Sequence, residues 1–311
     1  MLTYPIPGST LTGNATLAQA LAFLKSPTQI ARRFAEILSD HNFLAHYLLR
    51  GQYKMQGGAI SILNEGTSTG GSSETVAPGG EYPMLALPAD SATLIAALKK
   101  GLSTEVTDEE VGRLIQDPTE RAIQLLAFQL VSDFDSVSLS AIATAITQSF
   151  ASAAWSTGTG IVAAVEAGKA TLSALHKGYT ATSVVLTGTQ WAAIAAPLLS
   201  VLPREAGNPL LSGGVPNIQG VDWVTSNDLP GGWIPTMVDA NNLGGIGHED
   251  IPSPEYVSLF SVSDANQPNR SNVEVARFRE KNDSTRLQVR KADVPVVRNA
   301  DAGIEFTGTG L

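Results

Sequence analysis

The 311-residue sequence contains no cysteine. That absence removes disulfide frameworks, thiolate metal centres and a cysteine nucleophile together. A reducing interior is compatible with it. Charge is also scarce, at 16% of residues against 43% hydrophobic, so the core is well supplied while the charged surface is thin, as expected where much of the surface meets other protein. Basic residues are the minority, 20 Lys and Arg against 29 Asp and Glu, for a net charge of -9. This argues against a chain that grips nucleic acid by neutralising phosphates. Long apolar runs are missing as well: the Ala-rich region 141–174 is interrupted by Ser, Thr, Gln, Gly and Glu and fails as a membrane span. The opening MLTYPIPGSTLTGN has no basic stretch followed by an apolar one, so no secretory signal is expected and a soluble protein is. No internal repeat is found, and the length suits one elaborate domain or two modest ones.

Catalytic signatures fail one by one. Gly158-Thr159-Gly160-Ile161-Val162-Ala163 spells G-x-G-x-x-A, but a dinucleotide site needs a strand before it and an acidic residue about 20 positions on. It reads as a helix-to-loop break. Gly168-Lys169 fails as a phosphate loop, because Ala163 and Ala170 stand where Gly and Ser or Thr are required. His41 and His46 are five residues apart, roughly 140° around a helix, which spoils a shared metal face. With His176 and His248 they read as surface or interface histidines. Glu249 and Asp250 follow a Gly-rich run without the Asp/Asn ladder of a calcium loop, and read as a solvated loop. There is no G-x-S-x-G elbow. No catalytic residue, cofactor or metal is therefore expected, and the chain is not read as an enzyme.

What is present begins with a polar ribbon, GGAISILNEGTSTGGSSETVAPGGEYP, at residues 57–83. Ile60 and Ile62 alternate with small or polar neighbours in the period of a strand. Residues 67–73 are turn chemistry, and Glu74 to Val76 offer a second strand before Pro78, Gly79 and Gly80. A two-stranded hairpin cannot bury a face alone, so this one needs a partner surface.

The flanks are helical. Residues 16–50 carry apolar positions at helical spacing in two pieces split near Ser26 and Pro27. Thr107 with Glu110 forms a capping box, and Asp117, Pro118 and Glu120 repeat its logic. A short helix thus feeds a long one, whose stripe runs through Ile123, Leu126, Leu130 and Phe134. Beyond it, TSVVLTG reads as a buried strand, TQWAAIAAPLLSVL as a helix, and VDWVTS and WIPTMVD as strands. At the end, NVEVARFRE and RLQVRKADVPVV alternate in period two around residues 281–284, a hairpin. Helix and sheet mix without regular βαβ alternation, so the class is α+β. Arg277, Arg279, Lys281 and Arg290 sit in this last hairpin interleaved with Glu274, Glu280, Asp283 and Asp293. Such mixed charge suits intersubunit ion pairs or a solvated hairpin better than a nucleic-acid patch.

Three stretches resemble one family: KKGLSTEVTDEEVGRLIQDPTERAIQLLAFQLVSDFDSVSLSA, NPLLSGGVPNIQGVDWVTSNDLP and VRKADVPVVRNADAGIEFTGTG. With the order of parts around them they resemble the major capsid proteins of tailed bacteriophages, the Hong Kong 97-type fold that encapsulin shells share. The resemblance implies an N-terminal arm and helices at 1–50, an extended loop hairpin at 51–82, a peripheral-domain strand and spine helix at 83–150, an axial domain at 151–255, and return strands with a basic hairpin at 256–311. It implies a head protein that self-assembles as hexamers and pentamers into an icosahedral virion shell around double-stranded DNA, built in the host cytoplasm. An encapsulin-like compartment is the alternative. The implied partners are other copies of the chain, scaffolding protein, portal, decoration proteins and weakly held DNA, with no membrane. The extended loop would lie across an adjacent subunit, making Ile60, Ile62, Glu65, Glu74 and Val76 its contact residues. Lys54 is the only lysine near the loop and lies at its base, which leaves a Lys-Asn cross-link without support.

Overall fold

The computed structural model describes residues 24–40, 44–63, 75–82, 84, 92–113, 118–201, 217–218, 220–249, 251–258 and 273–311. In chain order come α1 (Pro27–Asp40), α2 (Leu44–Leu48), β1 (Gly51–Met55), β2 (Ala59–Leu63), β3 (Ala92–Ala96) and β4 (Leu98–Thr107). Then follow α3 (Asp108–Arg113), α4 (Pro118–Ala145), β5 (Ser149–Ala151), α5 (Gly158–Ser173), β6 (Ser183–Leu186), α6 (Gly188–Val201), β7 (Asn217–Ile218) and β8 (Val221–Thr225). The chain closes with β9 (Thr236–Val238), β10 (Gly244–Glu249), β11 (Tyr256–Ser258), β12 (Glu274–Arg279), β13 (Ser284–Val297) and β14 (Gly303–Thr307).

Two sheets organise these elements. The first runs β1-β10-β13-β12-β11, with β4 also on β13. Asp293 pairs with both His248 and Leu98, and Arg290 with both Glu274 and Gly101. So β4 occupies one side of β13, while β12 and β10 follow each other along the opposite side. The second sheet runs β5-β14-β9-β6-β8-β7.

The long helix α4 joins them. Its first half packs Ile123, Leu126 and Leu130 with Ile30 and Phe34 of α1 against Val275, Leu287 and Val289 of the first sheet. Its second half packs Leu139 and Ile142 against Val185 and Val238 of the second sheet and Leu48 of α2. The other face of that sheet is covered by α5 and α6 through Ile161, Val165, Ile194 and Leu198. The apolar stripe read from the sequence is thus the structural spine. Leu126 is buried, so Leu126→Ala is expected to destabilise the subunit by about 2–5 kcal/mol through lost transfer energy and a cavity. Soluble yield and melting temperature check this; wild-type values would mean the helix does not carry the core.

Local chemistry sets the boundaries. The Thr107 hydroxyl accepts from Glu110 N–H at 3.3 Å while the Glu110 carboxylate accepts from Thr107 N–H at 3.2 Å, so the capping box forms where β4 gives way to α3. Pro118 opens α4, as its missing N–H allows. The G-x-G at Gly158 is a helix start, not a helix-to-loop break: Thr157 caps α5 by accepting from Gly160 N–H. Glu249, expected in a solvated loop, is half-buried at the end of a strand, and Asp250 lies outside the described residues; the Gly-rich run before them belongs to the same strand. It is β10, in the interior of the first sheet, where a methyl group on Gly245 would overlap the Gly51 carbonyl and one on Gly244 the Val296 carbonyl. Glycine here permits close approach of three strands.

Candidate functional site

The polar ribbon is rooted in a hairpin, but with a different second strand. β2 pairs antiparallel with β3, Ile60 opposite Ile95 and Ile62 opposite Thr93. Thr75 and Val76 are irregular, and residues 77–80 turn through Gly79 at φ 82, with Gly80 N–H bonded to the Ala77 carbonyl at 2.8 Å. Glu65 and Glu74 lie outside the described residues, as does the helical piece expected before residue 24. Residues 51–55, expected within the loop, form β1 and pair parallel with β10.

The hairpin has two faces of different use. Ile62 is buried, and Ile60 and Ile95 are half-buried, against Tyr53, Met55, Val294 and Val296 of the first sheet. Ile60 and Ile62, expected at an intersubunit contact, thus pack within the chain, because period two turns them toward their own sheet. Glu249 strengthens this root by accepting from Gly58 N–H at 3.0 Å. The opposite face carries Leu94, 73% exposed, with Ala92, Ala96 and Ser61 exposed beside it. Further along the ribbon, Tyr82 and Met84 are also exposed. Elsewhere, Leu125 and Phe128 emerge near the start of α4.

The basic hairpin spends most of its charge internally. Arg290 is buried, ion-paired with Glu274, bonded to the Ile251 carbonyl at 2.8 Å and stacked over the Tyr256 ring at 3.7 Å. Arg279 grips Asp108 with both terminal nitrogens, at 2.6 and 2.5 Å, and that hydrogen-bonded carboxylate is held below its ordinary pKa. Arg277 reaches the Lys25 carbonyl at 3.5 Å. Arg279 and Arg290, expected in intersubunit ion pairs, each have a carboxylate partner in their own chain. Lys281 remains exposed in the turn.

A buried polar joint lies between α2, α4, β10 and β13. Lys291 Nζ is 2.9 Å from Asp293 Oδ2 with both side chains 2% exposed, and it sits 3.5 Å from the centroid of the Phe134 ring. It also donates to His46 Nε2 at 3.2 Å, and Asp293 Oδ1 meets His248 Nδ1 at 2.6 Å. Beside them, Asp135 accepts from the N–H groups of Leu44 at 2.9 Å and Ala45 at 3.1 Å. Burial, reinforced by Lys291, lowers the His46 pKa to about 3, so the imidazole is neutral and its Nε2 can accept a hydrogen bond from the lysine ammonium. Burial raises Asp135 to about 6 despite its two amide bonds. Burial pushes Asp293 up too, but Lys291 and His248 outweigh it and hold the carboxylate below its ordinary value. Burial depresses Lys291.

His46 is thus an internal residue, not a surface or interface histidine, and the joint as a whole was not anticipated. Its signal was available: Leu287, Val289, Lys291 and Asp293 share one face of β13 by the period of two. Among the described residues no group of three His, Asp or Glu side chains could hold a metal ion.

This architecture has solved counterparts. The capsid structure of cyanophage P-SCSP1u is similar at a TM-score of 0.56 and 14% identity, covering 83% of this chain and 86% of that one. The capsid of cyanophage A-1(L) is similar at 0.55 and 13% identity, covering 86% and 92%. A virus-like particle from Pyrococcus furiosus is similar at 0.53 and 10% identity, covering 90% and 98%. No curated protein matches the sequence significantly. The likenesses define the class as the Hong Kong 97-type capsid fold. The family model described as phage capsid protein matches residues 90–305, and the chain belongs to that family. It is a capsid protein of bacteriophage type and as such a virion component.

Proposed function

We propose that the chain is the major head subunit, closing as hexamers and pentamers into an icosahedral shell around double-stranded DNA in the host cytoplasm. The observation that carries this is the two-faced hairpin: one face is consumed by its own sheet, while Leu94, 73% exposed, presents apolar surface that nothing among the described residues covers. An exposed apolar strand pair is a template for another molecule. Leu125 on α4 of the adjacent copy is the apolar surface assigned to receive it. Copies repeated around a shell turn many such weak contacts into one stable assembly.

The division proposed with it is an arm and helices at 1–50, an extended loop at 51–82, a peripheral domain at 83–150 and 256–311, and an axial domain at 151–255. Scaffolding, portal and decoration proteins are its assigned partners. DNA is held only weakly, in keeping with the net charge of -9. The assigned role is structural, with no catalytic step.

Replacing residues 64–91 by a short Gly-Ser turn keeps the β2–β3 pairing and removes the ribbon's reach. The subunit is expected to fold and to melt as the parent does, yet to form no closed particles by electron microscopy. Normal particles from this variant would show the loop to be ornamental and end this reading. Closed particles of the parent that carry cargo protein but never DNA would favour the compartment alternative.

A further inference from the structure

β4 is an outer strand of the first sheet. It pairs with β13 along its 10 residues, and no other described strand pairs with its far side. Its backbone groups can be sorted by direction. Just past its end, the Asp108 N–H donates to the Asp283 carbonyl at 3.0 Å, continuing the same register. A residue that donates across an antiparallel ladder turns its carbonyl to the same partner, and the next residue turns both groups away. Counting back in twos, the even-numbered residues of β4 face β13, while Lys99, Gly101, Ser103 and Glu105 aim N–H and C=O outward. All four are exposed, whereas Leu102 and Val106, on the alternate face, join the core beneath α4.

The ribbon holds a piece that fits such an edge. Ser72 to Val76 is polar, ends in two β-branched residues and is bounded by Gly71 and Pro78, the signature of a short strand. Of it, Thr75 and Val76 are described, and they join no sheet in their own chain. Charge favours the match: residues 64–91 carry Glu65, Glu74, Glu81 and Asp90 and no Lys or Arg. Lys99, exposed on β4, forms no ion pair among the described residues. Strand addition draws its affinity from main-chain hydrogen bonds, so it suits a ribbon rich in Gly, Ser and Thr.

We propose that the outer edge of β4 receives residues 72–76 of an adjacent copy, which add a strand to its first sheet with Glu74 beside Lys99. This rests on the shell reading above in taking a second copy as the partner. β4 packs beneath α4, the helix assigned to receive the hairpin's apolar face, so one neighbour takes both contacts. An unpaired edge of this length is otherwise a hazard, open to any extended chain. Filling it with the ribbon turns the hazard into a specific joint.

The absence of cysteine makes the pairing directly readable in the full-length protein. Glu74→Cys and Lys99→Cys, made in separate chains and mixed before assembly, are expected to link into dimers on mild oxidation, because facing strand residues stand within disulfide reach. Glu105→Cys, at the other end of the same edge, is expected not to link to Glu74→Cys. Capsomers suffice for this readout, so it is decided whether or not shells close. No dimer, equal linkage at Glu105→Cys, or an intrachain bond when both cysteines are placed at 74 and 99 of one chain would each overturn the proposal. In assembly, Lys99→Glu is expected to melt as the parent does and to lower closed-particle yield about tenfold, since like charges face each other at every copy of the contact. Adding Glu74→Lys to the same chain is expected to restore the yield. Full yield from Lys99→Glu, or a loss that Glu74→Lys does not repair, would overturn the register while leaving the shell reading in place.

Discussion

Asp293→Ala is expected to be among the most damaging single substitutions in the chain, costing about 3–5 kcal/mol, because it strands an ammonium in a sealed interior. Lys291 has 2% of its side chain exposed and Asp293 as its carboxylate neighbour. The charge would have to be shed or the joint opened. The double variant Lys291→Met/Asp293→Leu removes both charges at similar volume, and is expected to recover most of the loss. Thermal melting of soluble subunits or capsomers separates the three proteins. A single variant that melts like the parent would show that the pair is not what seals the joint.

Leu94→Glu is expected to do the opposite, sparing the fold and abolishing the particle. The residue faces solvent in the single chain, where surface substitutions usually stay within about 0.5 kcal/mol. In a shell it would bury a carboxylate against a neighbour's apolar surface. Sedimentation should find folded subunits or capsomers and no closed shells. Ile62→Glu is the contrast, because that side chain is buried against its own sheet, and it should lower subunit melting before assembly is reached. Particles of normal yield from Leu94→Glu would remove this face from the interface.

The elements that could be read from sequence are those whose pattern and ends agree. The spine helix has a stripe, a Pro at its first position and a capping box just upstream, and all three appear as read. The terminal hairpin likewise follows its alternation into β12 and β13. β10 was hidden because GGIGHE has the composition of a loop, and only the crowding of Gly51, Gly245 and Val296 explains why a strand needs those glycines. The partner of β2 was hidden because pairing is not local: β3 begins 29 residues after β2 ends (92 against 63), beyond a nearer segment with equal local credentials. The use of the hairpin's two faces was hidden for a related reason. Period two says which residues share a face, not whether that face meets the same chain or another.

A helix of 28 residues is roughly 42 Å long, and packed against both sheets it acts as a girder. Tilting such a girder by about 5° about one end carries the other through about 4 Å, more than the reach of a hydrogen bond. Differences of curvature between five-fold and six-fold neighbourhoods of a lattice that tilt the girder as one body break contacts at its far end. They must be absorbed where short pieces meet it, and the angular tolerance of the shell becomes a property of its hinges.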